Sequence, residues 1–151
     1  MPTIRPARIE DAPAIFSLLS PLAKDGIVLS RTVEDIICYI DNFFIAYWDG
    51  SIVGCVALRD FGNGLEEIRS LVVDDKYRGD GFGSKLVRET CKLAKKRNTK
   101  RLFALTLEEN FFIKNGFHVV DKSIFPQKIW SDCIKCPKKD CCDEIAVTRE
   151  L

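Results

Sequence analysis

The stretch from Glu66 to Lys96, EEIRSLVVDDKYRGDGFGSKLVRETCKLAKK, permits few folds. Ile68, Leu71, Val72 and Val73 form a short apolar, partly β-branched run that reads as a buried strand. The run breaks at Asp74-Asp75 and passes through Arg78-Gly79-Asp80-Gly81-Phe82-Gly83. From there Leu86, Val87, Thr90, Cys91, Leu93 and Ala94 recur at helical spacing. A strand, a glycine-rich turn and a helix in this order can serve as an anion site. Glycines let consecutive N–H groups converge, and the first helical turn adds unpaired N–H groups and the positive end of the helix dipole. Glycine before a helix also meets purely steric needs, so the spacing alone leaves both readings open. The chain has no Gly-x-Gly-x-x-Gly after a first strand and no Gly-Lys-Ser/Thr, which excludes the common dinucleotide and nucleoside-triphosphate loops.

The flanking sequence fills in alternating elements. Thr3 to Arg8 reads as an opening strand, with Asp11 capping a helix that buries Ile15, Leu18, Leu19 and Leu22. Thr32-Val33-Glu34-Asp35 has the spacing of a capping box, with Asp in place of Glu, and opens a second helix. Phe43–Trp48 and Ile52–Leu58 are strands joined by the tight-turn pair Asp49-Gly50, and Gly62-Asn63-Gly64 turns the chain into the central strand. Arg101–Thr106 is an apolar strand, Glu108–Lys114 a short helix, Phe117–Asp121 a strand, and Glu144–Thr148 the last one. Residues 131–143 form a cysteine-rich loop before it. The cluster Lys92, Lys95, Lys96, Arg97, Lys100 and Arg101 suits a helix C-terminus and a solvated face.

At 151 residues the chain, 1–151, fits one domain. Its 23 basic and 22 acidic residues leave a net charge of +1, so no global field draws it to nucleic acid or to an anionic membrane. Early charges at Arg5, Arg8, Glu10 and Asp11 leave no apolar leader, and no run is long enough to span a bilayer. The expected location is cytoplasmic. Cys38, Cys55 and Cys91 sit in apolar-periodic segments as small core residues. Cys133, Cys136, Cys141 and Cys142 crowd within ten positions, which in such a chain suggests metal or redox chemistry before structural disulfides. Cys-x-x-Cys lets two thiolates grip one ion. Adjacent Cys141 and Cys142 point apart, so Cys133, Cys136 and Cys142 are the ligands expected for one structural zinc or iron; a disulfide and packed reduced thiols remain the alternatives.

Arg78-x-x-Gly81-x-Gly83 after Val72-Val73 resembles the acetyl-coenzyme A signature of the GNAT acetyltransferases, Gln/Arg-x-x-Gly-x-Gly/Ala. Ile4-Arg5-Pro6-Ala7 with Glu10-Asp11-Ala12 is similar to that family's first strand and helix, and Phe111-Phe112-Ile113-Lys114-Asn115-Gly116-Phe117 to its late helix. The resemblance implies an α+β, three-layer fold, with a mixed central sheet of about six to seven strands flanked by helices. It implies acetyl-CoA as cosubstrate, with Leu71, Val72, Val73, Arg78, Gly79, Asp80, Gly81, Phe82, Gly83 and Ser84 holding it. The base should lie on the central strand and face the gap beside it. Glu66 and Glu67 point to opposite faces of that strand, and Glu67, in register with Leu71, is the expected base. Phe112 stands where many members carry a tyrosine acid, so that role is empty here or filled from elsewhere.

Within the family the chain looks most like the acetyltransferase domain of N-acetylglutamate synthase. The carrying segments are Gly26-Ile27-Val28-Leu29-Ser30-Arg31, Glu67-Ile68-Arg69-Ser70-Leu71 and Arg101-Leu102-Phe103-Ala104-Leu105-Thr106. The likeness implies acetyl transfer to the α-amino group of L-glutamate, the first step of arginine biosynthesis, with Arg31 gripping a substrate carboxylate through a planar fork. Cys141-Cys142-Asp143-Glu144 replaces the synthases' basic tail, and no kinase-like domain precedes the chain, so arginine feedback through one is not expected. Acetylation of another small amine or a protein N-terminus stays open, as does a CoA-binding or metal-responsive sensor without turnover. The partner expected is a small molecule carrying an amine and a carboxylate, and an exposed last strand could pair with a second copy as a homodimer.

Overall fold

The computed structural model describes residues 3–25, 31–121, 124 and 145–151. Seven strands make one mixed sheet: β1 (Thr3–Pro6), β2 (Phe43–Trp48), β3 (Ser51–Gly62), β4 (Leu65–Val73), β5 (Arg101–Thr106), β6 (His118–Val120) and β7 (Ile145–Glu150). Their order is β1-β2-β3-β4-β5-β7-β6, and every neighbour runs antiparallel except β4 and β5. The helices are α1 (Ala12–Lys24), α2 (Val33–Cys38), α3 (Phe82–Lys96) and α4 (Glu109–Lys114).

Period-two alternation in β2 shows how the sequence builds the layers. Phe43 and Ile45 point to one core with Ala12, Ile15, Leu19 and Ile36 of α1 and α2. Phe44 and Ala46 point to the other, with Leu86, Val87, Cys91 and Ala94 of α3 and with Phe112 of α4. The result is the expected three layers, helices on both faces of a mixed sheet.

Local chemistry sets the element ends. Thr32 accepts from the Asp35 N–H while the Asp35 carboxylate accepts from the Thr32 N–H, so Asp completes the capping box in place of Glu. Asp49 and Gly50 both have positive φ, 51° and 80°, which suits the β2–β3 hairpin. Asp11 does not open α1 as a cap. It ends a 3-10 turn, Ile9–Asp11, and its carboxylate takes two Arg5 guanidinium bonds and the Arg8 N–H. That Arg5 contact holds the Asp11 carboxyl below the usual carboxylate range.

Three expectations need correction. β3 runs on to Gly62, four residues past the expected end, because it pairs with β4 as far as Leu65. β1 stops at Pro6, which fits proline's missing N–H. Cys55 and Cys91 are buried, but Cys38 at the end of α2 is exposed, since a six-residue helix turns only Ile36 fully inward. Burial pushes the Cys55 thiol up to about 12, against a smaller opposing pull from the Arg31 charge. The cysteine-rich loop at 131–143 lies outside the described residues. Among those described, no helix is long and apolar enough to cross a membrane, and no three His, Cys, Asp or Glu side chains are placed to hold a metal.

Candidate active site

The site begins where two parallel strands stop pairing. β4 and β5 match at Leu65 with Arg101, Glu66 with Leu102, and Glu67 with Phe103, and no further. β5 stays bonded to β7 over its whole length, while β4 continues to Val73 along β3. A wedge therefore opens between Ile68–Val73 and Ala104–Thr106. Backbone groups on that edge of β4 are not spent on a strand partner, so they can serve an extended polar ligand.

A bulge sits in the middle of this edge. Arg69 lies opposite Ala57 and Val72 opposite Cys55, so Ser70 and Leu71 together face the single Val56. Ser70 carries the extra residue with φ of 55°, a left-handed conformation uncommon for a side chain of this kind. The bulge reverses the parity of the strand. Glu67, Arg69 and Val72 share the α1/α2 side, whereas Glu66, Ile68, Leu71 and Val73 turn toward α3. The expected register of Glu67 with Leu71 therefore fails, because the inserted residue shifts Leu71 to the other face.

Both glutamates are buried, and they have different surroundings. Glu66, 1% exposed, accepts from Arg97 Nη1 at 3.0 Å and from the Thr99 hydroxyl. Arg97 also donates to Asn42 Oδ1 at 2.6 Å, so this carboxylate ties β4 to the C-terminus of α3 and to the turn before β2. Glu67, 2% exposed, occupies the last paired position before the wedge. Arg69 Nη2 and Nε meet its Oε1 at 2.6 and 3.0 Å. Arg59 stands directly across on β3, its guanidinium 4.7 Å from the Phe61 ring centre. Residue pattern alone singled out neither Arg69 nor Arg59. Arg69 was readable in principle, because residues i and i+2 of a strand share a face.

Arg31 lies half-buried on the same side of the sheet as Glu67, with its guanidinium 5.3 Å from the centre of the Phe43 ring. Its neighbours Gly26 to Ser30 lie outside the described residues. At the far end of β4 the chain turns through Asp75–Tyr77 into an exposed loop, Arg78 to Gly81. Gly79 and Gly81 have φ of 89° and 81°, and Gly81 heads α3. The loop is anchored by Phe82, which stacks on Tyr77 at 5.9 Å and meets Trp48 edge-on at 6.4 Å. Gly83 lets α4 approach closely: an added Cβ would meet the Phe111 ring at 3.2 Å. Phe112 is 4% exposed, edge-on to Phe111 and Phe117, so it is a core residue with no proton to give.

A sheet that splits beside a buried carboxylate, with a glycine turn and a helix N-terminus at the end of the same strand, is the architecture of acetyltransferases. Residues 40–119, more than half of the chain, match the model of the Acetyltransferase (GNAT) domain, and the chain belongs to this family of acetyl-CoA-dependent enzymes. It is 41% identical over 148 residues to an uncharacterized N-acetyltransferase of Chlorobaculum tepidum, covering 98% of this chain and 96% of the other. It is 35% identical over 127 residues to the amino-acid acetyltransferase of Shewanella oneidensis, covering 83% of this chain and only 28% of that longer protein. Among solved structures, the N-acetylglutamate synthase of Neisseria gonorrhoeae, complexed with coenzyme A and N-acetyl-glutamate, superposes with a TM-score of 0.88 at 29% identity. The match spans all of this chain and 35% of the synthase.

Proposed function

We propose that this protein transfers the acetyl group of acetyl-CoA to the α-amino group of L-glutamate. The observation that carries the reading is Glu67, a buried carboxylate at the point where β4 and β5 part. The likeness to a synthase holding coenzyme A and N-acetyl-glutamate supports the choice of acceptor.

Every requirement of the reaction but the protonation of the leaving thiolate has a residue to meet it. Glu67, directly or through a water, takes the proton from the incoming ammonium, and Arg69 fixes the orientation of its carboxylate. Backbone N–H groups near Leu71, Val72 and Val73 hold the thioester arm and offset the charge that builds on its carbonyl oxygen. Gly79 to Ser84 receive the pyrophosphate at the start of α3, with Arg78 beside them. Arg31, on the Glu67 side, holds a substrate carboxylate. With Phe112 in the core, the thiolate leaves without a dedicated acid, which its pKa of about 8.5 tolerates.

The acceptor is tested by supplying acetyl-CoA with a panel of amino acids and identifying the products by mass spectrometry. N-acetylglutamate should dominate; preference for an unrelated amine or a peptide N-terminus would overturn the assignment. The tail thiols Cys133, Cys136 and Cys142 are proposed, on spacing alone, as ligands of one structural zinc or iron. Metal analysis of protein purified without chelator decides that point: close to one ion per chain supports it, and metal-free, fully active protein ends it.

A further inference from the structure

The first turn of α3 is tied to the end of α4 by the side chain of Asn115, the residue that follows that helix. Asn115 Nδ2 donates to Phe111 O at 2.8 Å and to Ser84 Oγ at 3.2 Å. A peptide carbonyl can only accept, so the amide must present its NH2 end to this pair, and the flipped assignment is excluded. Ser84 Oγ therefore acts as an acceptor here through one of its two lone pairs, and its single proton stays available for another group.

The arrangement is rigid on both sides. The Asn115 N–H donates to Phe112 O at 3.0 Å, and Asn115 O accepts from Arg149 Nη1 of β7 at 3.1 Å. The same Arg149 nitrogen lies 3.6 Å from Cys91 Sγ on α3. One turn away, the Phe111 ring fills the space that the absent Gly83 side chain leaves. α4 is thus clamped to the α3 N-terminus at Gly83 and at Ser84, the second and third residues of that helix.

We infer that Asn115 is a positioning residue for the cofactor loop, committing the Ser84 hydroxyl proton to a pyrophosphate oxygen of acetyl-CoA. A serine in a helix otherwise tends to turn its proton back onto a carbonyl of its own chain, which offers nothing to an anion. An N–H already bound to its oxygen biases the hydroxyl to donate elsewhere, beside first-turn N–H groups that have no intrahelical acceptor. A hydroxyl donating to phosphate is a charge-assisted bond, among the stronger hydrogen bonds available to a neutral side chain. The inference rests on the reading that Gly79 to Ser84 receive the pyrophosphate.

The test is a double-mutant cycle on CoA binding by calorimetry, paired with kinetics on acetyl-CoA and on acetyl-pantetheine, which lacks the pyrophosphate. Ser84→Ala should weaken CoA binding about tenfold. Asn115→Ala alone should weaken it several-fold, and Asn115→Ala added to Ser84→Ala should cost almost nothing more. The KM for acetyl-CoA should rise in Asn115→Ala, while kcat/KM for acetyl-pantetheine stays at the wild-type value. A merely structural role would lower both substrates alike and would add to the Ser84→Ala loss; either result overturns the inference. Failure of the wild-type protein to bind CoA would instead overturn the loop reading, and this inference with it.

Discussion

Replacing each of the adjacent glutamates by glutamine separates support from chemistry. Glu66→Gln keeps the shape of the side chain but sets an NH2 group against one of two donors, Arg97 Nη1 or the Thr99 hydroxyl. A lost hydrogen bond to a charged group costs about 1.5–3 kcal/mol, and a stranded buried donor about 1–3 more. Because the Arg97 side chain is 31% exposed and can turn to water, the lower end applies, giving about 2–3 kcal/mol. For a domain of this size that is a fall in Tm of about 4–12 °C. Glu67→Gln can keep its Oε1 on both Arg69 donors but removes the charge opposite a guanidinium whose side chain is only 10% exposed, so its Tm should fall as well. Stability therefore does not distinguish the two, and activity does. Assayed well below both melting temperatures, Glu66→Gln should keep kcat within a few-fold of wild type. Glu67→Gln should lose about 10²–10⁴ in kcat, the usual contribution of a general base, with CoA affinity intact. Equal losses of kcat in the two variants, or a larger one in Glu66→Gln, would refute the assignment of Glu67 to the reacting side of the sheet.

Three other substitutions probe separate parts of the account. Gly81→Val meets no neighbouring atom within 4 Å, so its cost is the left-handed φ of 81°; CoA binding should vanish by calorimetry while the circular dichroism of the fold survives. Arg31→Lys should raise the KM for glutamate about tenfold, because an ammonium cannot reproduce two parallel bonds, and an unchanged KM would move the carboxylate site elsewhere. Cys55 is protonated in the folded state up to about 12 and ionises near 9 when unfolded, so the native state binds the extra proton. Its contribution to stability should fall as pH rises from 9 toward 12, and Cys55→Ala should remove that part of the alkaline slope. At neutral pH a thiol reagent should modify Cys38 before Cys55.

Much of this fold is legible in the residues because its punctuation is strong. Asp49-Gly50, the Thr32–Asp35 box and the apolar stripe of α3 each have one reading, and the structure keeps all three. What escaped were effects carried by single residues or by distant ones. Nothing in Arg69-Ser70-Leu71 announces that serine will take φ of 55°, yet that residue decides which side of the sheet Leu71 and Val72 join. Glu66 looks like a solvated strand end until the chain brings Arg97 and Thr99 back to it from 31 and 33 residues away. The basic cluster at the end of α3 is correspondingly not all on a free, solvated face: Arg97 is spent on buried Glu66, whereas Arg101 pairs with Glu150 at 2.7 Å in the open. The glycine turn was legible as a turn, since few residues other than glycine accept the positive φ of Gly79 and Gly81, whereas its role in holding an anion is a proposal.

The central claim, that the wedge beside Glu67 carries acetyl from a thioester to glutamate, is met most directly by one assay. Purified protein is mixed with acetyl-CoA and L-glutamate, and free CoA and N-acetylglutamate are measured together over time. The account predicts that both appear in equal amounts in the wild type, and that both rates drop together by about 10²–10⁴ in Glu67→Gln. Release of CoA without N-acetylglutamate, or full product formation by Glu67→Gln, would contradict it.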